Sequence, residues 1–376
     1  MRIAMLGHKR MPSREGGVEI VVEELSVRMA AMGHDVTCYN RRGKHVSGRE
    51  YGVNALREYK NVRLKSVLTL DIKGIAAMSA SFFAALCASF GKYDVVHFHA
   101  EGPCAMLWLP KLFGKRCVAT IHGLDHKRCK WGRFARWYIM LGEKCAAKYA
   151  DEVIVLNQRD QEYFREKYGR ETSLIPNGIC RPERQKIDLI GKKYALQADD
   201  YILYLGRIVP EKGLDDLIEA FKGVNTGKKL VIAGGASDTS EYFERLKNLA
   251  GDDQRIIFTG FVQGKMLEEL YSNAYLYVLP SKIEGMPLSL LEAMSYGNCC
   301  LVSDIEECRN IIGDHGVSFT CGAAGDLRAK MQFLCDSPAE TGKYRETAAD
   351  FVCKKYVWDE IVNQTLAIYR KKRTDE

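Results

Sequence analysis

Apolar runs and helical periodicities alternate along the whole chain. In the first half, short runs rich in Val, Ile and other strand-forming residues stand at 2–7, 35–40, 62–67, 94–99, 116–122 and 152–157. Helical stretches separate these runs, and the clearest is 18–33, where apolar residues recur at helical spacing. Strands that alternate with helices in this way predict a parallel sheet covered by helices.

The alternation stops at one turn-rich connector and then starts again. Pro176, Asn177 and Gly178 are strong turn residues that break any periodic pattern. Beyond them, strands are predicted at 201–206, 229–235, 255–260, 274–280 and 299–304, and helices at 214–224, 288–297 and 358–371. A length of 376 residues also favours two domains. We therefore predict two doubly wound, Rossmann-like α/β domains with a hinge near 176–185 and a ligand cleft at their junction.

The composition is typical of a globular enzyme in a reducing compartment. Hydrophobic residues make up 47% and charged residues 27% of the chain, which does not fit a disordered or fibrous protein. Cys38, Cys299 and Cys300 lie inside apolar runs, and the 13 cysteines follow no regular spacing, so a cytoplasmic protein without a structural zinc site is expected. The N-terminal residues lack the pattern of a signal peptide. The uncharged run 75–91 is too short to span a membrane and predicts a buried helix, with a membrane-dipping or surface helix as the alternative.

The net charge of +7 is concentrated in one segment. Residues 111–148 contain ten Lys or Arg and two acidic residues, with Trp131, Phe134, Trp137 and Tyr138 between them. Such a segment suits an anionic lipid surface or an anionic substrate, and it equally suits a solvated helix with an aromatic core face. No RNA- or DNA-binding motif accompanies the charge, so nucleic acid is not an expected partner.

Two loops that follow predicted strands have the residues of a phosphate site. The loop 7–19 ends in Gly16 and Gly17 at a helix start, where free amides hold an anion, although a plain turn has the same sequence signature. The loop 206–213 contains Arg207 and Lys212, and two cations there suit a diphosphate. A surface loop with a solvated Lys is the alternative for the second loop.

The stretch SKIEGMPLSLLEAMSYG at 281–297 joins a turn to a helix and contains two glutamates. Its helix is predicted to open at Met286, Pro287 and Leu288, whose amides are free to meet an anion. Glu284 precedes the helix. Glu292 lies one turn inside it, where a carboxylate can accept two hydrogen bonds from a ribose, or where it is simply solvated.

Three histidines lie in or directly at the end of predicted strands. His122 ends the strand 116–122 at the side of the presumed cleft, so a catalytic role and a structural role are both open. His97 and His99 share one strand face and would suit a metal pair, but the sequence gives no third ligand. We therefore predict no metal site.

GRIVPEKG at 206–213, followed by EGMPLSLLEAMSYG at 284–297, resembles the paired signature of retaining family 4 glycosyltransferases, which have the GT-B fold. Glu284 and Glu292 match the Glu-x7-Glu motif of that family. GHKRMPSREGGVE at 7–19 and TIHGLDHKRCKWGRFARWY at 120–138 resemble a bacterial subgroup that builds cell-surface polysaccharides and includes rhamnosyltransferases. The resemblance covers essentially the whole chain.

The resemblance implies a nucleotide-sugar donor, either dTDP-rhamnose or a UDP- or GDP-hexose, and a lipid-linked or oligosaccharide acceptor. The implied catalytic residues are His122, Glu284, Arg207 and Lys212. The implied substrate-binding residues are Gly16, Gly17, Arg207, Lys212, Glu284, Gly285, Met286, Pro287, Leu288 and Glu292. The candidate membrane- or acceptor-contacting residues are Lys127, Arg128, Lys130, Trp131, Arg133 and Arg136.

The same resemblance implies a domain layout and a set of rivals. Residues 1–180 with the returning helix 358–376 would form the acceptor-side domain, and 181–357 would form the donor-binding domain. Neither a metal nor a cofactor is implied, and a cytoplasmic protein at the inner face of the cell membrane is expected. The rival functions are a nucleotide-sugar epimerase, a phosphorylase of similar fold, and a binding module without catalytic activity.

Overall fold

The computed structural model describes residues 1–42, 56–70, 72, 74–128, 131–235 and 240–371. The chain forms two compact units. Unit 1 comprises Met1–Gly178 and Trp358–Glu376, and unit 2 comprises Ile179–Val357. The predicted boundary after residue 180 lies two residues from the division of the structure.

Strands and helices alternate along the chain as the apolar pattern predicts. The elements up to residue 178 are β1 (Arg2–Leu6), α1 (Gly17–Ala31), β2 (Asp35–Arg41), β3 (Glu58–Tyr59), β4 (Val62–Val67), α2 (Ala76–Phe90), β5 (Val95–His99), α3 (Glu101–Cys104), α4 (Trp108–Leu112), β6 (Arg116–Ile121), the 3-10 turn Asp125–Lys127, α5 (Arg133–Tyr149), β7 (Glu152–Val155), α6 (Gln158–Tyr168) and β8 (Ser173–Leu174).

The remaining elements continue this alternation. They are α7 (Leu189–Tyr194), β9 (Tyr201–Leu205), the 3-10 turn Pro210–Lys212, α8 (Leu214–Lys222), β10 (Lys229–Ala233), α9 (Ser240–Ala250), β11 (Ile256–Gly260), α10 (Lys265–Asn273), β12 (Leu276–Leu279), α11 (Leu288–Ser295), β13 (Cys299–Ser303), α12 (Glu306–Ile312), β14 (Val317–Phe319), α13 (Ala324–Asp336), α14 (Pro338–Lys355) and α15 (Trp358–Arg370).

Unit 1 is built on an eight-stranded sheet in the order β3-β4-β2-β1-β5-β6-β7-β8. All neighbours pair in parallel except β3 and β4. The central strands are buried on both faces, which explains why they read as nearly continuous apolar runs. Strand order reverses between β1 and β5, so the loops that follow these strands flank the expected ligand crevice of the sheet.

The last helix of the chain packs on unit 1. The Tyr369 hydroxyl of α15 lies 2.6 Å from Nδ1 of His97 in β5. Asp359 forms an ion pair with Arg28 of α1 at 2.6 Å. Trp358, the first residue of α15, lies against Gly178, where a Cβ would meet the indole at 2.4 Å. Glycine at position 178 thus allows the start of α15 to sit directly on the end of the preceding segment of unit 1.

Unit 2 has a six-stranded parallel sheet in the order β11-β10-β9-β12-β13-β14. The strand order reverses between β9 and β12. The five strands predicted for this half are present, and β14 is an additional short edge strand. Two parallel, doubly wound α/β units confirm the predicted fold class.

The apolar run 75–91 forms α2, and it is only partly buried. Ala80, Ala84 and Ala88 face the core, whereas Phe82 and Phe90 are exposed. The expectation of a buried helix is therefore right about the helix and wrong about its outer face. The buried positions of α2 are all Ala or Ser, and Phe83 and Leu86 are only partly buried against the core. Among the described residues, none of the helices combines the length and the apolar character needed to cross a bilayer.

Candidate functional site

Two loops of unit 2 meet at the switch point of its sheet, where β9 and β12 lie side by side. Gly213 closes the first loop with φ +63°, and a Cβ there would lie 2.3 Å from the carbonyl oxygen of Pro280 in the second loop. The amide of Lys282 donates to the carbonyl of Glu211 at 2.9 Å. The glycine and this backbone bond bring the loops 206–213 and 280–287, singled out separately in the sequence, against each other.

Lys212 and Glu284 form an ion pair between these two loops. Their side chains are only 12% and 7% exposed. Removing one partner of a shielded pair leaves an uncompensated charge, which is costly. The two predicted site residues therefore hold each other in place at the carboxyl end of the sheet, where an incoming anion would meet the Lys212 ammonium.

Arg207 lies half-buried at the start of the same loop. Its guanidinium makes no ion pair with any residue in the described part of the chain. The Tyr204 hydroxyl donates to its carbonyl oxygen at 2.9 Å and fixes the backbone at this position. The backbone of Arg207 is anchored, and its guanidinium forms no ion pair with a described Asp or Glu. Such an Arg is well suited to a bidentate contact with a phosphate.

The helix α11 begins at Leu288, directly after Pro287 in extended conformation. Pro287 and Leu288 are buried, and Gly285 and Met286 lead into the helix from Glu284. The first amides of a helix have no acceptor within it, so this end of α11 offers donors to an anion. The predicted opening of the helix at 286–288 is correct to within two residues.

Glu292 of α11 is oriented by a tyrosine that the sequence analysis missed. The Tyr271 hydroxyl donates to Glu292 Oε2 at 3.0 Å, and the Tyr271 ring stacks on Tyr296 with centroids 5.4 Å apart. Burial raises the pKa of Tyr271 well above its ordinary value, so its hydroxyl remains a donor. Tyr271 belongs to α10, and nothing in its sequence neighbourhood links it to a helix twenty residues later.

In unit 1, His122 follows the end of β6 and contacts His99 at the end of β5. His99 Nδ1 and His122 Nε2 are 3.1 Å apart. Burial lowers the pKa of His122 to about 4 and that of His99 well below its ordinary value, so both rings are neutral near pH 7. His99 therefore fixes the orientation of His122 without adding a charge.

His97 lies on the same face of β5 as His99, with ring centroids 4.1 Å apart. Both of its nitrogens are occupied: Nδ1 lies 2.6 Å from the Tyr369 hydroxyl and Nε2 lies 2.7 Å from Thr120 Oγ1. His97 is thus a structural residue that connects β5 to α15 and β6. This arrangement does not provide the metal pair considered in the sequence analysis.

Gly16 and Gly17 stand at the N-terminus of α1, as predicted. Gly16 caps the helix, and a Cβ there would lie 2.6 Å from Glu19 Oε2. Glu19 in turn accepts a hydrogen bond from the Lys9 amide at 2.9 Å, which holds the loop after β1 against the helix start. A side chain at position 16 would have to displace the Glu19 carboxylate, and glycine leaves room for it.

In the basic segment 111–148, both cationic and aromatic side chains are exposed at the surface. Lys127 and Arg133 are exposed, as is Arg136, and so are Phe134 at 65% and Trp137 at 57%. The interpretation of an aromatic core face is therefore wrong for these two aromatics, since only Tyr138 of α5 turns inward among them. Arg128 pairs with Asp125 at 2.8 Å, Trp131 is half-buried, and Lys130 lies outside the described residues.

Two family models together match most of the chain. The model described as "Glycosyltransferase Family 4" matches residues 15–180, and the model described as "Glycosyl transferases group 1" matches residues 187–351. The first falls in unit 1 and the second in unit 2, apart from two residues at the boundary.

Individual proteins extend this similarity. An uncharacterized glycosyltransferase of Methanocaldococcus jannaschii is 26% identical and covers 98% of both chains. UDP-Gal:alpha-D-GlcNAc-diphosphoundecaprenol alpha-1,3-galactosyltransferase of Escherichia coli is 30% identical over 57% of this chain and 58% of its own length. The solved structure of sucrose-phosphate synthase from Thermosynechococcus elongatus superposes with a TM-score of 0.84 at 22% identity and covers 98% of both chains, which supports the fold.

Proposed function

We propose that this chain, which is a glycosyltransferase of the GT-B fold, transfers a sugar from a nucleotide-sugar donor to a lipid-linked or oligosaccharide acceptor in cell-surface polysaccharide synthesis. The observation that carries the proposal is the Lys212–Glu284 pair beside Arg207 at the switch point of the unit 2 sheet. Cations and helix amides at the carboxyl ends of parallel strands are suited to a diphosphate. Glutamates on either side of them suit the hydroxyls of the sugar and the ribose.

We assign each part of the donor to one group of unit 2. Arg207 and Lys212 contact the diphosphate, and the first amides of α11 add hydrogen bonds near Met286–Leu288. Glu292, held by Tyr271, accepts from the ribose hydroxyls. Glu284 accepts from hydroxyls of the transferred sugar. In unit 1, Gly16 and Gly17 leave room for the diphosphate, and the neutral His122 orients the donor sugar.

The proposed reaction breaks the bond between the anomeric carbon and the diphosphate oxygen and forms a bond from that carbon to an acceptor oxygen. The acceptor proton goes to the departing diphosphate, and the anomeric configuration is retained by attack on the face of the leaving group. Arg207 and Lys212 stabilise the charge that develops on the diphosphate, an effect of the kind that is worth several kcal/mol in enzymes. We propose that the diphosphate needs neither a metal nor a cofactor, because protein cations supply that charge.

The similar galactosyltransferase of Escherichia coli is named for a UDP-linked donor and a diphosphoundecaprenol-linked acceptor. Its name supports a UDP-sugar and a lipid-linked acceptor for this chain. The motifs of the first half favour dTDP-rhamnose instead, and a GDP-hexose is the third candidate. The three differ in base and sugar, which the residues at the diphosphate do not distinguish.

We also propose that the chain binds peripherally to an anionic membrane through α5. Phe134 and Trp137 are exposed beside Arg133 and Arg136, and the two rings lie 5.8 Å apart. Exposed aromatics next to cations suit the boundary between acyl chains and anionic headgroups. A lipid-linked acceptor would be presented at the same surface.

The test is a thermal-shift screen of the full chain against dTDP-, UDP- and GDP-sugars. A ligand that binds only the folded protein raises its melting temperature, so the true donor gives the largest shift. Lys212→Ala should lose the shift, and Lys282→Ala, which alters a neighbouring loop cation, should keep it. The absence of any shift with all three classes would contradict the proposal.

A turnover assay then separates the rival functions. A transferase releases a nucleoside diphosphate in step with a glycosylated acceptor. An epimerase converts the nucleotide sugar and releases none, a phosphorylase consumes inorganic phosphate, and a binding module shows a thermal shift without turnover. Any of these three results would overturn the transferase assignment.

A further inference from the structure

Unit 1 contains a buried cluster of three metal-ligating side chains outside the residues assigned to the donor. Glu101 begins α3, His126 lies in the 3-10 turn after β6, and Glu143 lies within α5. Glu101 Oε1, His126 Nδ1 and Glu143 Oε2 all lie within 4.8 Å of one another. The two carboxylate side chains are 0% exposed and the imidazole is 13% exposed.

The polar contacts of these three atoms are with one another. His126 Nδ1 lies 2.9 Å from Glu143 Oε2 and 3.7 Å from Glu101 Oε1, and none of the three atoms has a hydrogen bond to any other residue that the structure describes. A buried polar group without a partner costs about 1–3 kcal/mol, and more when it is charged. The convergence of three such atoms on one point indicates a small polar or charged species that they hold in common.

The other oxygen of each carboxylate is already fixed by protein donors. Glu143 Oε1 accepts from Tyr163 at 2.8 Å, Tyr168 at 2.5 Å and Lys167 at 2.9 Å. Glu101 Oε2 accepts from the Asp125 amide at 2.7 Å. These bonds orient each carboxylate so that its remaining oxygen lies in the cluster. Residues that hydrogen-bond to metal ligands orient the ligands in the same way.

Gly142 brings the two carboxylates together. A Cβ at this position would lie 2.0 Å from the Glu101 carbonyl oxygen, so the backbone of α5 touches α3. Glu143 is the next residue along α5 and reaches the cluster from this point of contact. A larger residue at 142 would force the two helices apart.

The cluster holds two carboxylates beside one ammonium, that of Lys167, and the imidazole of His126. With the imidazole neutral, as a metal ligand must be, one negative charge of the cluster has no protein cation among the described residues to balance it. A divalent cation held by both carboxylates would compensate their charge.

We propose that Glu101, His126 and Glu143 bind a divalent transition-metal ion of the Zn²⁺ class. Zn²⁺ bonds to His nitrogen and carboxylate oxygen at about 2.0–2.2 Å, which separates tetrahedral ligands by about 3.4 Å. His126 Nδ1 lies 2.9 Å from Glu143 Oε2 and 3.7 Å from Glu101 Oε1. The first distance is shorter and the second is longer than the separation of tetrahedral ligands. Ca²⁺ and Mg²⁺ prefer ligand sets of oxygen only.

The ion would join the turn after β6 to both α3 and α5. Because this turn continues directly from His122, the metal would fix the loop that carries that residue. The role is structural: no donor phosphate contacts the ion, and metal-free transfer at the diphosphate remains the expectation. A metal ion binds only deprotonated carboxylates and a neutral imidazole, so affinity should fall at low pH.

The experiment uses the full chain stripped with a chelator and then titrated separately with ZnCl₂, MgCl₂ and CaCl₂. We expect one zinc per chain by elemental analysis. At a free zinc concentration about a hundred times Kd, the melting temperature of the unit 1 transition should rise by roughly 5–10 °C. MgCl₂ and CaCl₂ should have no effect. A wild-type chain that retains no zinc and shows no shift would overturn the proposal and leave a shared proton as the occupant of the cluster.

Two variants separate this site from adventitious binding at the cysteines. Glu101→Gln keeps an oxygen for the Asp125 amide, and His126→Gln removes the only nitrogen ligand, so both should lose the zinc and the thermal shift. His315→Gln, which alters a histidine of unit 2, should keep both. Equal zinc binding by all three variants would place the metal on thiols and contradict the proposal. Circular dichroism of the zinc-free variants checks that they fold.

Discussion

At the scale of single residues, the pair of Lys212 and Glu284 gives the sharpest test of the donor site. We expect Lys212→Ala and Glu284→Gln each to reduce sugar transfer by on the order of 10²-fold or more, since each removes a group proposed to contact the donor. Gln at 284 still accepts a hydrogen bond from Lys212, so this variant should fold. Initial rates with saturating acceptor measure the effect.

Lys282→Ala is the matched control for these two variants. Lys282 stands two residues from Glu284 but pairs with Asp216 at 2.9 Å, and we assign it no contact with the donor. Its transfer rate should stay within about twofold of the wild-type rate, because the pair that it breaks is outside the proposed donor contacts and only partly buried. Wild-type transfer by both Lys212→Ala and Glu284→Gln would remove the assignment of this site.

Tyr271 tests the ribose contact separately. Tyr271→Phe removes the hydrogen bond to Glu292 and leaves the stacking on Tyr296 in place. Loss of one such bond costs about 1–1.5 kcal/mol, so we expect KM for the donor to rise roughly five- to tenfold with kcat unchanged. Tyr275→Phe is the control, because its hydroxyl donates to Leu334 elsewhere in unit 2. An unchanged KM in Tyr271→Phe would separate Glu292 from donor binding.

At the scale of elements, α5 carries the prediction of membrane contact. Replacing Arg133 and Arg136 by Ser should weaken binding to anionic vesicles by roughly 10- to 30-fold, since each cation near the surface contributes about 1 kcal/mol. Phe134→Ser with Trp137→Ser should weaken it further, and this second loss should persist at high salt. Sedimentation with vesicles of anionic lipid measures both effects.

Phe333→Ser provides the control for the aromatic variants. Phe333 is 51% exposed on α13 in unit 2, so its loss removes a comparable apolar surface from a different helix. Its vesicle binding should equal that of the wild type. Sedimentation of the α5 variants at the wild-type level would exclude this helix as the membrane contact.

The sequence predicts elements better than it predicts contacts between them. Strands such as β1 and β12 are buried on both faces, so local composition alone identifies them. The missed strands β3, β8 and β14 have two or three residues each, too few for a periodicity. Phe134 and Trp137 have the composition of a core face and are exposed, because only contacts with other elements decide which side of α5 turns inward.

The proposed donor site can be found from the sequence, whereas the proposed metal site cannot. Lys212 and Glu284 could be singled out because each lies in a short motif after a strand, at the end of the sheet where ligands bind. Glu101, His126 and Glu143 are spread over three elements at spacings of 25 and 17 residues, which match no metal-binding motif. Only the approach of α5 to α3 at Gly142 brings them together.

At the scale of the whole molecule, stability should depend on pH through the buried histidines of unit 1. Burial lowers the pKa of His97 to about 3 and that of His122 to about 4, below the ordinary value of 6.5. Between pH 6.5 and these values, the unfolded chain binds protons that the folded chain does not. The free energy of unfolding should therefore be highest above pH 6.5 and fall steadily as the pH drops toward 4.

His97 is the residue on which this dependence can be measured, because it is fully buried and links β5 to α15 through Tyr369. One such histidine should lower the free energy of unfolding by about 1 kcal/mol between pH 6 and pH 5. His97→Gln cannot take up that proton, so its loss over this interval should be smaller by this amount, even though the variant is less stable at pH 7. Urea unfolding at the two pH values, followed for the transition of unit 1, measures the difference. Equal losses in the variant and the wild type would show that His97 does not contribute to the acid sensitivity of the fold.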